Sequence, residues 1–284
     1  MIEIANTVDG YRLSLAVLIS ISLIFYILYR RMRRQQQAQL YTGIEQLKLL
    51  RLLLADFQRH RGLSTALLSG DTSLEADLRN TQQRLETSIQ QVVTLNTSHD
   101  TQWQNLISQW QHIRQSRSTT VAINLSNHHQ LILHTTYLIE DIADELDLRD
   151  NTLKLDYLHC IWQEVVQTAE WAGQARALGT SIAAEKCSSA AQRVRLRFLH
   201  SRIKQLSLKA FTVLEEHQAD HLNLQQSRQT VNALLLCLEE ELLNCEHPQI
   251  EAKRYFEQAT MAINDLLGMI DAALKDLQQV TKRT

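Results

Sequence analysis

The sequence predicts an all-α protein: an antiparallel helical bundle of about seven or eight helices, preceded by one N-terminal transmembrane helix. The chain has 284 residues with only one proline and seven glycines, and so few helix-breaking residues favour long helices. Aromatic residues make up 6% of the chain, and the sequence has no alternating β-branched runs joined by hairpin turns. Long stretches instead carry apolar residues spaced by three and four positions, which is typical of helices that pack together.

The N-terminal segment LSLAVLISISLIFYILY, residues 13–29, is apolar and uncharged. At about 1.5 Å per residue it spans roughly 25 Å, the short end of what crosses a bilayer. Acidic residues precede it and the cluster RRMRR follows it, an order opposite to that of a cleaved signal peptide. We therefore expect a signal anchor at 13–29, with an extracytoplasmic tail at 1–12, a basic juxtamembrane segment at 30–37 and a cytoplasmic body at 38–284.

Within the body, four stretches have a seam of apolar residues at heptad-like spacing, as expected for helices buried against one another. Breaks between helices are predicted at residues 69–72, 96–100, 116–126, 148–151, 184–189, about 219–224, and 247–248. The four seams are Leu47, Leu50, Leu54, Phe57, Arg61, Ser64 and Leu68; Leu155, Leu158, Trp162, Val165, Ala169, Ala172, Arg176, Gly179 and Ala183; Leu196, Leu199, Ile203, Leu206, Ala210 and Val213; and Phe256, Ala259, Ile263, Leu266, Ile270, Ala273, Leu277 and Val280. No linker rich in proline, glycine or serine divides the body, which predicts a single helical domain.

Two of these seams each contain one arginine. Arg61 lies in RGLST and Arg176 in RALGT, and each arginine is followed by leucine two positions later and by a very small residue three positions later. The small residues Gly62, Ser64 and Gly179 leave room that a core packed for stability alone would fill. We therefore expect these three residues to line a site that both arginines form.

A buried guanidinium needs a negative partner, because an unpaired buried ion costs several kcal/mol. One interpretation is an internal salt bridge to a carboxylate such as Glu164, Glu170 or Asp141, or an arginine whose head group reaches solvent. The other is a small bound oxyanion, which suits the planar paired donors of arginine. The sequence leaves both open.

Three segments, QRHRGLSTALLSG, YLHCIWQEVVQTAEWAGQARALGTSIAAEK and YFEQATMAINDLLGMIDAALKDL, occur in that order and together resemble the nitrate- and nitrite-sensing (NIT) domain family. That family is a bacterial all-helical sensor module, and the resemblance covers residues 38–280. It implies that Arg61 and Arg176 bind nitrate or nitrite, and that a signal passes to an output module. Since no output module is recognised in this sequence, we expect a separate signalling protein or regulator as partner. With the predicted anchor, the resemblance also implies localisation in the bacterial inner membrane.

Other residue groups predict no chemistry. His217 and His221 have a spacing that can hold a metal, but only two histidines converge, so we expect a solvated helix end and no metal. The pair His128-His129 is interpreted as a polar helix start. A solvated surface is expected for the basic stretch Arg193, Arg195, Arg197, Arg202, Lys204 and Lys209, and reduced core thiols for Cys160, Cys187, Cys237 and Cys245.

The sequence thus predicts a membrane-anchored sensor of nitrate or nitrite, with no enzymatic activity and no cofactor. A net charge of -2 predicts no nucleic-acid partner, and association of the chain with itself stays open. The alternative is a membrane-tethered helical scaffold whose arginines form internal salt bridges. A metal-binding bundle is a third, weaker interpretation.

Overall fold

The computed structural model describes the backbone of residues 2–93, 99–116, 120–149 and 155–283, and side chains within 18–92, 99–116, 120–146 and 155–281. Throughout these residues the chain forms helices with short connections, so the predicted all-α class is confirmed. The chain divides into two compact units, Met1–Thr42 and Gly43–Thr284. The first helix, α1, covers Ile2–Leu68.

In the smaller unit, the large apolar side chains from Leu18 to Tyr29 are exposed. Two arginines of the basic cluster lie over tyrosine rings one turn earlier, Arg30 over Tyr26 and Arg33 over Tyr29, each at 5.8 Å from the ring centre. Across the described residues, no helix combines the length and apolar character needed to cross a membrane. The predicted anchor at 13–29 begins among residues 1–17, and the predicted tail at 1–12 lies entirely there; the side chains of these residues lie outside the described set.

The larger unit begins in α1 and continues through a series of helices joined by short turns. After a 3-10 turn at Thr72–Leu74 come α2 (Glu75–Val93), α3 (Asp100–Gln115) and α4 (Val121–Arg149). A continuous helix is then formed by α5 (Leu158–Cys160), a π-helical segment (Ile161–Val165) and α6 (Val166–Glu185). The last elements are α7 (Ala190–Glu216), a 3-10 turn (Asp220–Leu222), α8 (Leu224–Cys237) with a π-helical extension (Leu238–Leu243), and α9 (Ala252–Arg283).

Most helix ends fall within a few residues of the predicted breaks, and local chemistry explains two of them. The exception is α4, which begins at Val121, inside the break predicted at 116–126. α1 ends at Leu68, and Gly70 follows with a φ of +100°, a conformation that glycine adopts without steric cost. α7 begins with a capping box, in which Ser189 and Gln192 each accept a hydrogen bond from the other's backbone N–H. Such a box satisfies two backbone donors that the first turn leaves unpaired.

The core of the larger unit surrounds α6, which packs against α7 and α9. Side chains of the predicted seams are buried there, including Phe57 of α1, Val165 before α6 and Leu266 of α9. The seam on α1 ends earlier than predicted, because Leu68 at the helix end is 40% exposed. The apolar periodicity therefore locates most of the core, but four other seam residues are only half-buried: Leu155, Leu206, Val213 and Val280.

The four cysteines are free thiols, but they are not all in the core. Cys160 and Cys237 are buried and Cys245 is half-buried, whereas Cys187 is exposed in the turn after α6. The prediction of a core thiol is therefore wrong for Cys187. Burial, together with the nearby Glu164, raises the pKa of the Cys160 thiol to about 12.

Candidate functional site

The two predicted arginines both lie in the interface between α1 and α6. Arg61 is 1% exposed and Arg176 is 2% exposed, so both charges are removed from solvent. Burial, together with the neighbouring charges of Arg61 and Arg59, lowers the pKa of Arg176 to about 9. Two like charges thus lie close together inside the bundle.

Each arginine reaches across a glycine of the opposite helix. A Cβ on Gly173 of α6 would lie 2.7 Å from Nη2 of Arg61, and a Cβ on Gly62 of α1 would lie 3.6 Å from Nε of Arg176. A side chain at Gly173 would therefore crowd the guanidinium of Arg61, whereas at Gly62 it would only touch Arg176. The glycines let the arginines cross between the helices, and this places them where each can bond to the other helix.

Arg61 forms a two-point ion pair with Glu170 of α6. Its Nη1 donates to Oε1 of Glu170 at 2.7 Å, and its Nη2 donates to Oε2 at 3.2 Å. The same carboxylate accepts hydrogen bonds from the amides of Gln58 at 3.0 Å and Gln174 at 2.9 Å. One of the carboxylates named in the salt-bridge interpretation is thus the partner of Arg61 rather than of Arg176.

Arg176 is held in a different way. Its Nη1 donates to Oγ1 of Thr260 at 2.9 Å, its Nη2 donates to the backbone carbonyl of Gln58 at 2.9 Å, and its guanidinium lies 4.8 Å from the ring centre of Phe256. Among the described residues, no carboxylate lies within ion-pair distance of Arg176. Its Nε is buried without a hydrogen-bond partner. Arg176 is therefore a buried cation whose direct contacts are a hydroxyl, a carbonyl dipole and an aromatic ring, while the carboxylate of Glu170 acts on it only from beyond ion-pair distance.

A cavity of about 270 Å³ lies beside Arg61. Its polar wall includes Arg61 of α1, His129 of α4, Gln174 of α6 and Arg195 of α7. Burial lowers the pKa of His129; Glu170 opposes this effect, whereas Arg61 and Arg195 add to it. The cavity is therefore lined by positive groups and by donors from four helices, a setting that favours a small anion.

A second cavity, of about 280 Å³, adjoins the contacts of Arg176. Its walls include Phe256 and Thr260, which touch Arg176, and also Arg59, Lys253 and Thr180. The hydroxyl of Thr180 is buried without a hydrogen-bond partner. Arg61 faces the first cavity, whereas Arg176 lies behind two residues that line the second.

The three small residues predicted to line the site have other neighbours. A Cβ on Gly62 would approach the ring of Phe256 to 3.0 Å, Ser64 exchanges hydrogen bonds with the side chain of Asn124, and Gly179 lies against the ring of Tyr255. Neither of these two cavities is lined by them. They allow close packing around the arginines, and ligand binding at Arg61 and Arg176 stays a prediction.

A pair of buried histidines lies close to Arg61. Nδ1 of His128 is 2.8 Å from the backbone carbonyl of Asn124, which can only accept, so we assign the proton of His128 to Nδ1. Nε2 of His128 then accepts from Nδ1 of His60 at 2.7 Å, and Nε2 of His60 accepts from the amide of Gln82 at 3.1 Å. The polar helix start predicted at His128 is wrong, because His128 is fully buried inside α4.

The two histidines and the basic stretch that the sequence predicts to be solvated lie largely at the surface. His217 is exposed, and the half-exposed His221 contacts Asp276 at 2.6 Å. In the basic stretch of α7, Arg193 pairs with Glu246, and Lys209 donates to Glu164. Arg195 is also exposed, and in addition it donates to Gln174 at 2.7 Å and lines the cavity beside Arg61.

Comparisons with known proteins give one solved structure with the same fold. The NasR transcription antiterminator matches with a TM-score of 0.66 and 20% sequence identity, over 92% of this chain and 74% of that chain. The two proteins share their fold. No protein-family model matches the sequence, and no curated protein sequence matches it.

Sequence reasoning named Glu170 as one of three possible salt-bridge partners, and it missed the roles of Gln174 and Arg195, because none of these residues lies in a predicted seam. A signal was nevertheless present: residues 170, 173 and 177 are spaced by three and four along α6, each one position after the seam that contains Arg176, and Gln174 lies beside them. This neighbouring row combines a carboxylate, a glycine and an amide, which is an unusual face for a helix buried on several sides. Such a second row beside a seam arginine is a pattern that sequence analysis can search for.

Proposed function

We propose that this protein is a sensor that binds nitrate or nitrite in the interface between α1 and α6, beside Arg61 and Arg176, and passes the signal to a separate partner. The observation that carries the proposal is Arg176, a guanidinium that is 2% exposed and has no carboxylate partner among the described residues. Burying a charge in this way costs several kcal/mol. A small anion bound in the interface would offset that cost.

The shape of the donors around Arg61 favours a planar oxyanion. Arg61 presents two parallel N–H groups to the two oxygens of Glu170, which is the arrangement that arginine uses for planar acceptors. Nitrate is planar and nitrite is bent, and either can offer two oxygens to the same pair of donors. Chloride has no oxygens and cannot use both donors in this way.

Two similarities support a role in signalling. The motifs around both arginines resemble those of nitrate- and nitrite-sensing domains, and the NasR transcription antiterminator has the same fold. A sensor requires a partner that responds to it, and we propose a separate regulator for that role. The proposal assigns no enzymatic reaction to the chain.

We further propose that residues 13–29 anchor the protein in the bacterial inner membrane, with the body from residue 38 onward in the cytoplasm. The supporting observation is the sequence order of the apolar segment and the arginines that follow it. Positive residues flanking an apolar helix favour the cytoplasmic side. In this arrangement the sensor would respond to cytoplasmic anion.

A second function is favoured by one specific contact. The two-point ion pair between Arg61 and Glu170 satisfies that arginine without any ligand, as expected if the bundle is a scaffold for other proteins. In that case the arginines would serve only internal packing. The two functions differ in whether a small anion stabilises the folded protein.

The decisive experiment measures the thermal unfolding of the full chain with nitrate, nitrite, chloride or phosphate at matched ionic strength. Nitrate or nitrite at about one hundred times its dissociation constant should stabilise the fold by about 2.7 kcal/mol. Arg61→Ala and Arg176→Ala should each remove this effect. Arg61→Lys should weaken it because the planar pair of donors is lost.

Arg51→Ala is the matched control, since Arg51 also lies on α1 and pairs with a carboxylate, Asp271. This variant should keep the response of the wild type. Binding of nitrate by either the Arg61 or the Arg176 variant at wild-type affinity would refute a shared site. A wild type that responds to neither nitrate nor nitrite would leave the scaffold function in its place.

A further inference from the structure

The carboxylate of Glu170 occupies a complete binding site for a planar oxyanion. Its Oε1 accepts from Arg61 at 2.7 Å and from Gln174 at 2.9 Å, and its Oε2 accepts from Arg61 at 3.2 Å and from Gln58 at 3.0 Å. Two oxygens thus receive four donors that come from α1 and α6. These donors form a binding site for an anion, and the anion bound there is a side chain of the protein itself.

Glu170 is placed so that it can leave this site. The side chain of Arg61 is 1% exposed, but that of Glu170 is 12% exposed, so the arginine is fixed inside the bundle while the carboxylate lies nearer to its surface. The cavity of about 270 Å³ begins at Arg61 and Gln174, two of the groups that hold the carboxylate. An anion in this cavity would therefore lie beside two of the residues that donate to Glu170.

We propose that Glu170 is a tethered competitor: nitrate or nitrite binds Arg61 by taking the place of the Glu170 carboxylate, which moves out of the site when the anion enters. This inference rests on the proposed function and names the residue that sets the affinity of the same site. Two anions cannot share one pair of guanidinium donors, because like charges at this separation repel. Entry of the ligand and departure of the carboxylate are therefore one event.

Displacement of Glu170 would also alter a contact with a third helix. The amide nitrogen of Gln174 donates to Glu170, and its amide oxygen accepts from Arg195 of α7 at 2.7 Å. When the carboxylate leaves, Gln174 loses one of these two partners. The occupancy of the site is thus linked to the packing of α6 against α7.

Competition by a tethered group lowers the apparent affinity by the fraction of molecules in which the site is free. If Glu170 is out of the site in about one molecule in ten, the apparent dissociation constant is about tenfold higher than the intrinsic one. Glu170→Gln keeps the size of the side chain and removes its charge. This variant should therefore bind nitrate about tenfold more tightly than the wild type.

The first arm of the test is a titration of the full chain with nitrate, for the wild type, Glu170→Gln and the control Glu164→Gln. Glu164 is a suitable control because it lies in the same continuous helix and pairs with Lys209. Tighter binding by Glu170→Gln alone supports the competitor. Unchanged or weaker binding by Glu170→Gln, in a protein whose wild type binds nitrate, overturns this inference and leaves the proposed function intact.

The second arm does not depend on nitrate. Glu170→Ala removes the carboxylate and leaves its four donors, so formate, a planar carboxylate, should raise the melting temperature of this variant more than that of the wild type, in which Glu170 competes for the same donors. Absence of this rescue overturns the inference. A different outcome is that formate rescues Glu170→Ala while neither the wild type nor Glu170→Gln responds to nitrate or nitrite. In that case the proposed function fails, and the anion site occupied by Glu170 is still supported.

Discussion

Acidification should destabilise the protein through the buried pair His60 and His128. Burial lowers the pKa of His60 to about 3, with a smaller effect from His128. Burial also lowers the pKa of His128 to about 4, against the hydrogen bond to Asn124, which raises it. Both rings are therefore neutral in the folded protein at pH 5, whereas the unfolded chain protonates them below pH 6.5.

The size of the effect follows from proton linkage. Below pH 6.5 the unfolded state binds more protons than the folded state, so the free energy of unfolding falls as the pH falls. This loss continues until the pH reaches about 4 for His128 and about 3 for His60. Between pH 7.5 and pH 5, each neutral histidine lowers the free energy of unfolding by about 2 kcal/mol, and the pair lowers it by about 4 kcal/mol.

The assay is urea unfolding followed by circular dichroism at several pH values between 7.5 and 5. With a urea dependence of about 3 kcal/mol per molar, the midpoint of the wild type should fall by more than about 1 M over this range. The double variant His60→Gln/His128→Gln should be less stable at pH 7.5 but should lose about 4 kcal/mol less on acidification. His217→Gln, which removes an exposed histidine, should keep the wild-type dependence. A double variant whose stability falls with pH as steeply as that of the wild type would refute the reasoning.

Two further predictions concern packing and topology. Gly179→Ala would place a Cβ where the ring of Tyr255 lies, and it should destabilise the fold by about 1 to 3 kcal/mol in urea unfolding. The Cβ of Gly268→Ala meets nothing within 4 Å, so this variant should stabilise the fold by about 0.5 to 1 kcal/mol. Equal effects of the two variants would contradict the packing argument. A reporter that works only in the cytoplasm should be active when it is fused after Thr284. Alkaline phosphatase activity from a fusion at the same position would contradict the proposed orientation.

The apolar pattern predicted the helices and the core well because both depend on local chemistry. A residue at seam spacing is buried wherever its helix packs, so Leu50, Val165 and Ile263 could be assigned to the core without knowledge of their neighbours. The same argument placed Arg61 and Arg176 inside the bundle. It failed at Leu68, because the seam of that helix continues in the sequence for one residue longer than the packing does. It was also inexact at four seam positions that are only half-buried: Leu155, Leu206, Val213 and Val280.

The partners inside the site could not be predicted in this way. Glu170 pairs with a residue 109 positions earlier in the chain, and His60 contacts a residue 68 positions later. Periodicity defines which face of a helix is buried but not which residue of another helix lies opposite. The axial position of α6 along α1 decides that Arg61 meets Glu170 rather than Glu164, and a single sequence carries no record of it.

The crossing of the two arginines fixes the position of α1 along α6 at two points. Arg61 bonds to a side chain of α6, Arg176 bonds to the main chain of α1, and each passes over a glycine of the other helix. A translation of either helix by one turn, about 5.4 Å, would place larger residues under both guanidinium groups and break both contacts together. The two helices can therefore change their alignment only as a discrete step, and the charges that would attract an anion are the same groups that hold this alignment.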